Sequence, residues 1–440
     1  MDYLANIIFG IVFFGAIAFF TRNVRRLIRN IRLGKPTDRS DQPSKRWAQM
    51  LRIALGQSKM VVRPIAGLLH IVVYIGFVVI NIELLEIIID GFLGTHRVFA
   101  PFLGGLYDVL IATFEVFAAL VIVAVVLFWT RRNWVRIKRF WKPEMKGWPK
   151  RDADYILYIE LVLMLLFLTM NASDYWLQQQ GISYYVQAGS FPVSELMAPL
   201  FDGMSTSTVV AIERTAWWLH ILGILFFLNY LYYSKHLHIL LAFPNTYYAN
   251  LDPKGKLENT ASVTEEVKLM LDPSADPYAA PQTDQQPAKF GVSDVVDLNR
   301  VQLLNAYSCT ECGRCTDVCP ANQTGKKLSP RKVMMDTRDR LEEVGNLLDK
   351  KQSINENQLL DNYITREELW ACTSCNACVE ACPIGIDPLS IIMDMRQYLV
   401  MEQSAAPTEL NAMMNNIENN GAPWPFNQQD RLLWRDEINT

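Results

Sequence analysis

The chain has 440 residues, half of them hydrophobic, with 42 Lys and Arg against 45 Asp and Glu for a formal charge of −3. That balance excludes a globally basic nucleic-acid binder, and no Arg/Lys-rich recognition helix accompanies a groove-reading motif. The near-neutral total hides a division: the long apolar runs lie before Phe243 and all eight cysteines lie after Tyr307, so a lipid-facing part precedes an aqueous one.

The first apolar run, Leu4 to Phe20, lacks the positive start and small-residue cleavage site of a signal peptide and reads as a retained span. Further runs cover Pro64 to Ile89, Leu106 to Trp129, Tyr155 to Met170 and Ala216 to Phe243. At 1.5 Å per residue most of these cross about 30 Å of hydrocarbon, and the fourth does so only if it continues toward Trp176. Residues 21–63 carry 12 Lys/Arg against two Asp, and residues 130–154 carry nine against three acids. The loop 91–105 has Arg97 as its one basic residue, and 171–213 has none. The positive-inside bias places the N-terminus outside and both basic loops, with everything after Phe243, in the cytoplasm of a bacterial inner membrane.

Glu83, Glu86, Asp90 and Asp108 crowd the outer ends of the second and third spans, with Glu115 deeper in the third. Carboxyls at membrane depth are expensive and often serve proton or substrate paths, so these five are candidates for a quinone and proton site, with pairing at the interface the alternative. Four of the five histidines fall in or near the spans: His70, His220, His236 and His238, with His96 in an outer loop. Read as one helix, the fifth span puts His220 and His238 on one face at opposite leaflets, roughly 27 Å apart. Antiparallel packing sets His70 level with His236 or His238. Two imidazoles from neighbouring helices can hold iron axially in a b-type haem, and no C-x-x-C-H sequence signals covalent attachment.

Residues 244–300 are polar, and the Pro-rich stretch Asp272 to Pro287 reads as an extended surface segment. Asp297 to Tyr307 reads as a short helix leading into Cys309-Thr-Glu-Cys312-Gly-Arg-Cys315-Thr-Asp-Val-Cys319-Pro320. Cys372-Thr-Ser-Cys375-Asn-Ala-Cys378-Val-Glu-Ala-Cys382-Pro383 repeats the pattern. Thiolates spaced C-x2-C-x2-C-x3-C-P ligate cubane clusters, with the fourth cysteine crossing to the other cluster. Cys309, Cys312, Cys315 and Cys382 then hold one [4Fe–4S] cluster, and Cys372, Cys375, Cys378 and Cys319 the other. Two separate zinc sites would not need interlocked quartets. Helical patterns fill the insertion at Pro330–Asp349, Glu356–Asp361 and Thr365–Ala371. A closing helix spans Ile391–Met401 with Ser390 as its N-cap. Trp424 and Trp434 in the tail are candidates to dock on the core or on a partner.

Spans two to five resemble the cytochrome b (gamma) subunit of respiratory nitrate reductases and the membrane subunits of heterodisulfide reductases, on Leu-Leu-His-Ile at 68–71, Trp-Leu-His-Ile-Leu at 218–222 and Ser-Lys-His-Leu-His-Ile at 234–239. The resemblance implies an inner haem held by His70 and His238. The family pattern expects an outer-haem histidine where this chain has Ile80, which leaves His96 as the partner for His220 and either two haems or one. The cysteine segment resembles the helical dicluster ferredoxin domain of succinate dehydrogenase and heterodisulfide reductase iron–sulfur subunits. Together the parts resemble the membrane iron–sulfur subunits of heterodisulfide-reductase-like and electron-transfer-flavoprotein:quinone reductase complexes.

The expected fold is mainly α: a five-helix haem-b bundle (1–243), a polar linker (244–297), a helical 2×[4Fe–4S] ferredoxin domain (298–402) and a tail (403–440). The expected function is a non-autonomous subunit of a quinone-linked oxidoreductase. It would pass electrons between a cytoplasmic CCG-domain iron–sulfur protein or flavoprotein and menaquinone or another quinone in the bilayer. Alternatives are a quinol-oxidising subunit driving a disulfide reductase and a membrane anchor whose clusters are structural.

Overall fold

The structure, a computed structural model, describes residues 3–253, 255–257, 259–274 and 289–438. Five long apolar helices dominate its first half: α1 (Leu4–Arg32), α2 (Pro64–Leu93), α3 (Gly105–Trp129), α4 (Trp148–Gln179) and α5 (Thr206–Tyr230). A helix satisfies its own backbone hydrogen bonds, which is what an apolar chain needs in lipid. Pro64 starts α2 at a position where no backbone donor is lost. Gly94 ends it in the left-handed region (φ 72°), donating its N–H to the Asp90 carbonyl at 2.7 Å. Helices α4 and α5 pack together, α3 joins α2 to α4, and α1 lies against α2 and α5. At the α1–α2 crossing a Cβ on Gly91 would stand 2.7 Å from the Phe9 ring, so only glycine admits that approach.

The fourth span is not short; α4 runs through Trp176 to Gln179. The fifth span is not one helix to Phe243. It breaks after Tyr230 into two 3₁₀ turns around Ser234, which is extended (φ −118°, ψ 148°), and restarts as α6 (His238–Tyr247). Asp152 of α4 fixes the break, accepting from the Tyr230 hydroxyl at 2.6 Å and the Lys235 N–H at 3.1 Å. His220 and His238 therefore do not share a helix, and the 27 Å spacing along one axis fails.

The cysteine-rich half is all-helical among its described residues, built around α7 (Arg300–Ser308), α8 (Pro330–Asp349) and α9 (Pro388–Met401). Asn299 and Gln302 form a capping box on α7. Helix α8 begins and ends where the sequence places it. Helix α9 begins three residues earlier than expected, because Asp387 and not Ser390 is the cap, accepting from the Ser390 N–H at 3.0 Å. Within the expected linker, Ala261–Leu271 is helical, and most of the Pro-rich stretch lies outside the described residues. The tail adds α10 (Thr408–Asn420), and Trp424 and Trp434 are exposed, so neither packs on the core.

One hydrophobic core runs across the boundary between the two halves. Leu27 of α1, Ile156 of α4 and Phe227 of α5 join Leu298, Leu303 and Leu341 of the cysteine half. Asn30 of α1 donates to the Tyr307 hydroxyl at 2.9 Å, and fully buried Arg331 donates to Glu144 at 2.7 Å and to the Arg139 carbonyl at 2.7 Å. The end of α1 and the segments around Lys59 and Glu144 thus meet the cysteine half at one end of the bundle. This is the arrangement the two basic loops anticipate.

Acidification should loosen this contact. Burial favours the neutral form of Glu144, but the Arg331 guanidinium outweighs it and holds the carboxyl below its ordinary value of 4.5. A depressed carboxylate contributes its stability in full above the unfolded value, and that stability is lost as pH falls through the folded value. Thermal unfolding followed from about pH 7 down to about pH 3.5 should show a decline that Glu144→Gln flattens. Equal slopes for both proteins would show that the pair contributes nothing.

Candidate functional site

The two cysteine loops share one backbone design. Glu311 and Gly313 in the first, and Ser374 and Asn376 in the second, all have positive φ, between 55° and 73°. These left-handed residues sit at matching places, so each loop wraps a concave turn whose amides point at sulfur. The Ser374 N–H donates to Cys372 Sγ at 3.4 Å and the Ile386 N–H to Cys382 Sγ at 3.3 Å. The structure also brings thiols of the two motifs close together. Cys309, Cys312, Cys315, Cys378 and Cys382 line one cavity. Cys319 is the electrostatic neighbour of Cys372 and Cys378.

Among the described residues, no three Cys, His, Asp or Glu side chains converge on a point that would hold a single metal ion. A mononuclear zinc site, with Zn–S near 2.3 Å, needs sulfurs within about 4 Å of each other. Burial pushes the Cys309 and Cys378 thiols up to about 12. Cys375 alone among the eight is exposed, which leaves the second motif nearer the surface.

Between the first motif and the bundle lies a cavity of about 490 Å³, lined by His70, His238 and Cys312 among others. The His70 and His238 rings stand 6.5 Å apart between centres. Two imidazoles sharing one metal at about 2 Å per bond have ring centres roughly 6 Å apart. His238 Nδ1–H donates to the Lys235 carbonyl at 3.1 Å, which turns its other nitrogen outward. His70 Nδ1 is buried without a partner, as are Nη2 of Arg132 and Nε of Arg139 in the cavity wall. His236 faces Glu160 at 3.6 Å instead. Lys235, just before it, pairs with the buried carboxylate of Glu311 in the first cysteine loop, and Arg338 meets the same carboxylate at 2.8 Å.

His220 and His96 are not brought together. His220 Nδ1–H donates to the Leu163 carbonyl at 3.0 Å and the ring lines a mid-bundle cavity of about 110 Å³. Both nitrogens of His96 are engaged, one 3.2 Å from Asp174 and the other accepting the Val186 N–H at 3.3 Å. His96 lines a separate outer cavity of about 290 Å³. The loop does fold back toward the bundle, but it is Asp174 that receives His96.

The five acids divide. Glu86 accepts from the Phe99 N–H at 2.9 Å and the Tyr107 hydroxyl at 2.8 Å; Asp90 accepts from the Arg97 N–H at 2.8 Å. Asp108 accepts from Gly189 at 2.8 Å, and Glu115 from Val193 and Ser194 at 2.9 and 3.0 Å. These four hold loops in place. Glu83 is buried with Oε2 unpartnered. The sequence does not single out Arg97, Asp174, Glu160 or Glu311 as site residues; a lone arginine in an outer loop without acids is the one signal it offers for the first two.

Residues 308–386 match the model of the 4Fe-4S dicluster domain. The chain is 28% identical to the probable iron-sulfur-binding oxidoreductase FadF of Bacillus subtilis, over 99% of this chain and 61% of that protein. It is 25% identical to the EtfAB:quinone oxidoreductase of Syntrophomonas wolfei, over 91% of this chain and 55% of that protein. A shorter match, 30% identical over 26% of this chain and 58% of the relative, is to a subunit of the ferredoxin/F(420)H(2)-dependent CoB-CoM heterodisulfide reductase of Methanosarcina acetivorans. The chain thus spans less than two thirds of the length of these curated relatives. No solved structure matches it. The five apolar helices and the dicluster match make this a multi-pass membrane iron–sulfur protein of the electron-transfer kind.

Proposed function

We propose that the chain is the membrane electron-transfer subunit of an oxidoreductase complex. It would take electrons from a cytoplasmic iron–sulfur protein or flavoprotein and deliver them to quinone in the bilayer. The observation that carries this is Cys312, which borders both the thiol-lined cavity and the His70–His238 cavity. Two [4Fe–4S] clusters are held by the crossed quartets Cys309, Cys312, Cys315, Cys382 and Cys372, Cys375, Cys378, Cys319, with the second cluster as the entry beside exposed Cys375. One b-type haem is held by His70 and His238, with Arg132 and Arg139 positioned for its propionates. When bound, these groups supply one-electron steps between the donor and the two-electron quinone.

An outer haem does not fit: His220 faces no second histidine, and about 110 Å³ is too small for a porphyrin. Of the two counts that the sequence leaves open, two haems or one, we propose one. The quinone head is assigned to the outer cavity beside Glu83, His96 and Arg97. An apolar groove of about 500 Å³, lined by Phe99, Phe102 and Phe114 and reaching Glu83 and Glu86, receives its tail from lipid. The N-terminus and this cavity lie outside and the cysteine domain in the cytoplasm, as the basic loops direct. The domains follow as a bundle (1–243), a connecting segment (244–297), a ferredoxin domain (298–402) and a tail (403–440).

Purified protein should contain about eight cluster irons per chain and one haem, and a menaquinone analogue should reoxidise the dithionite-reduced haem. Haem-free protein from a haem-replete host, or reduced haem indifferent to quinone, would overturn this assignment.

A further inference from the structure

We propose that Glu83 and Glu160, joined by the mid-bundle cavity, form a proton relay that feeds the outer cavity from the cysteine-domain end of the bundle. The inference rests on the quinone chemistry assigned above. It also explains what occupies the region where the resemblance expects a second haem.

Three cavities stand in series. Glu83 lines the outer cavity and the mid-bundle cavity, and Glu160 lines the mid-bundle cavity and the large inner one. Along its helix Glu83 is about 15 Å from the outer end of α2, and Glu160 is about 18 Å from the inner end of α4. Two carboxyls at such depth are expensive in hydrocarbon and are kept where ions or protons pass. Glu83 is 3% exposed with Oε2 unpartnered, whereas Glu86, Asp90, Asp108 and Glu115 all hold backbone or hydroxyl donors. The charged groups around Glu83 are Glu86 on its own helix, Arg97 of the outer loop, Glu115 of α3 and Asp174 of α4. Glu160 faces His236.

The mid-bundle cavity of about 110 Å³ has room for about three waters at 30 Å³ each. Asn81, Glu83, Glu160 and His220 supply polar partners there. His220, with Nδ1–H given to Leu163, presents Nε2 as an acceptor.

Reduction of one quinone takes two electrons and two protons. The electrons come from the reduced cytoplasmic partner through the clusters. Each proton enters on the Glu160 carboxylate from the inner cavity and passes to cavity water. It then protonates Glu83 and leaves it for a quinone oxygen, which restores both carboxylates. Electron and proton thus cross together, and turnover moves no net charge across the bilayer.

The test uses the full chain in sealed vesicles, cysteine domain outward, with a menaquinone analogue in the bilayer, a pH dye inside and dithionite added outside. Wild-type protein should reduce the quinone while the interior pH stays constant. Glu83→Gln and Glu160→Gln should each slow quinone reduction at least tenfold while dithionite still reduces the haem, and Glu160→Asp should restore most of the rate. Interior alkalinisation by one proton per electron in the wild type, or full rates in both glutamine variants, would overturn the relay and leave the quinone assignment standing. No quinone reduction by the wild type would overturn the quinone assignment and the relay with it.

Discussion

Replacing His70 with alanine is expected to abolish the b-type absorption bands while leaving about eight cluster irons in place. The two rings stand 6.5 Å apart across one cavity, and each would supply one of the two ligands of the proposed haem. His238→Ala should behave as His70→Ala does. His236→Ala should keep the haem, because that ring addresses Glu160. The sharpest member of the series is His220→Ala. With one haem per chain its haem content matches the wild type; loss of half the haem would restore the two-haem arrangement and show that His220 finds a partner beyond Leu163. Haem counts by pyridine haemochrome and iron by chemical assay separate these outcomes, and an unaltered spectrum in His70→Ala would remove the inner site altogether.

A comparably large effect is expected from the fourth cysteines. Cys382→Ser should remove about four irons, and the signal lost should be that of the cluster that Cys309→Ser removes. The double variant Cys309→Ser/Cys382→Ser should then retain about four irons, whereas Cys372→Ser/Cys382→Ser should retain almost none. Uncrossed ligation predicts the reverse pattern, with the second pair equivalent and the first additive. Electron paramagnetic resonance of the reduced proteins distinguishes the two clusters. The comparison of double variants remains informative even if each loss weakens the fold, since both doubles remove two thiolates and share Cys382→Ser.

Much of the fold is legible because its physical causes are local. An apolar run long enough for hydrocarbon becomes a helix whatever surrounds it, and α8 could be placed to the residue because Ser329 and Pro330 open it. The cysteine spacing specifies its chemistry by itself. What the sequence left ambiguous depends on partners distant in the chain. Asp152 breaks the fifth span from 78 residues away, at Tyr230, and Asp387 takes the cap expected of Ser390 through local geometry that composition does not rank. The outer acids look equivalent by type and position, but loops arriving from Phe99, Gly189 and Val193 consume all but Glu83.

The sequence by itself determined five membrane-length helices, two four-cysteine motifs and the end of the bundle at which basic loops gather. Each of these follows from length, spacing or charge within a single segment. Only the tertiary structure decided that His70 faces His238, that His96 turns to Asp174 rather than to His220, and that Glu83 and Glu160 share one cavity. Those relations depend on how separate helices pack and which buried polar groups find each other, and no single segment carries that information.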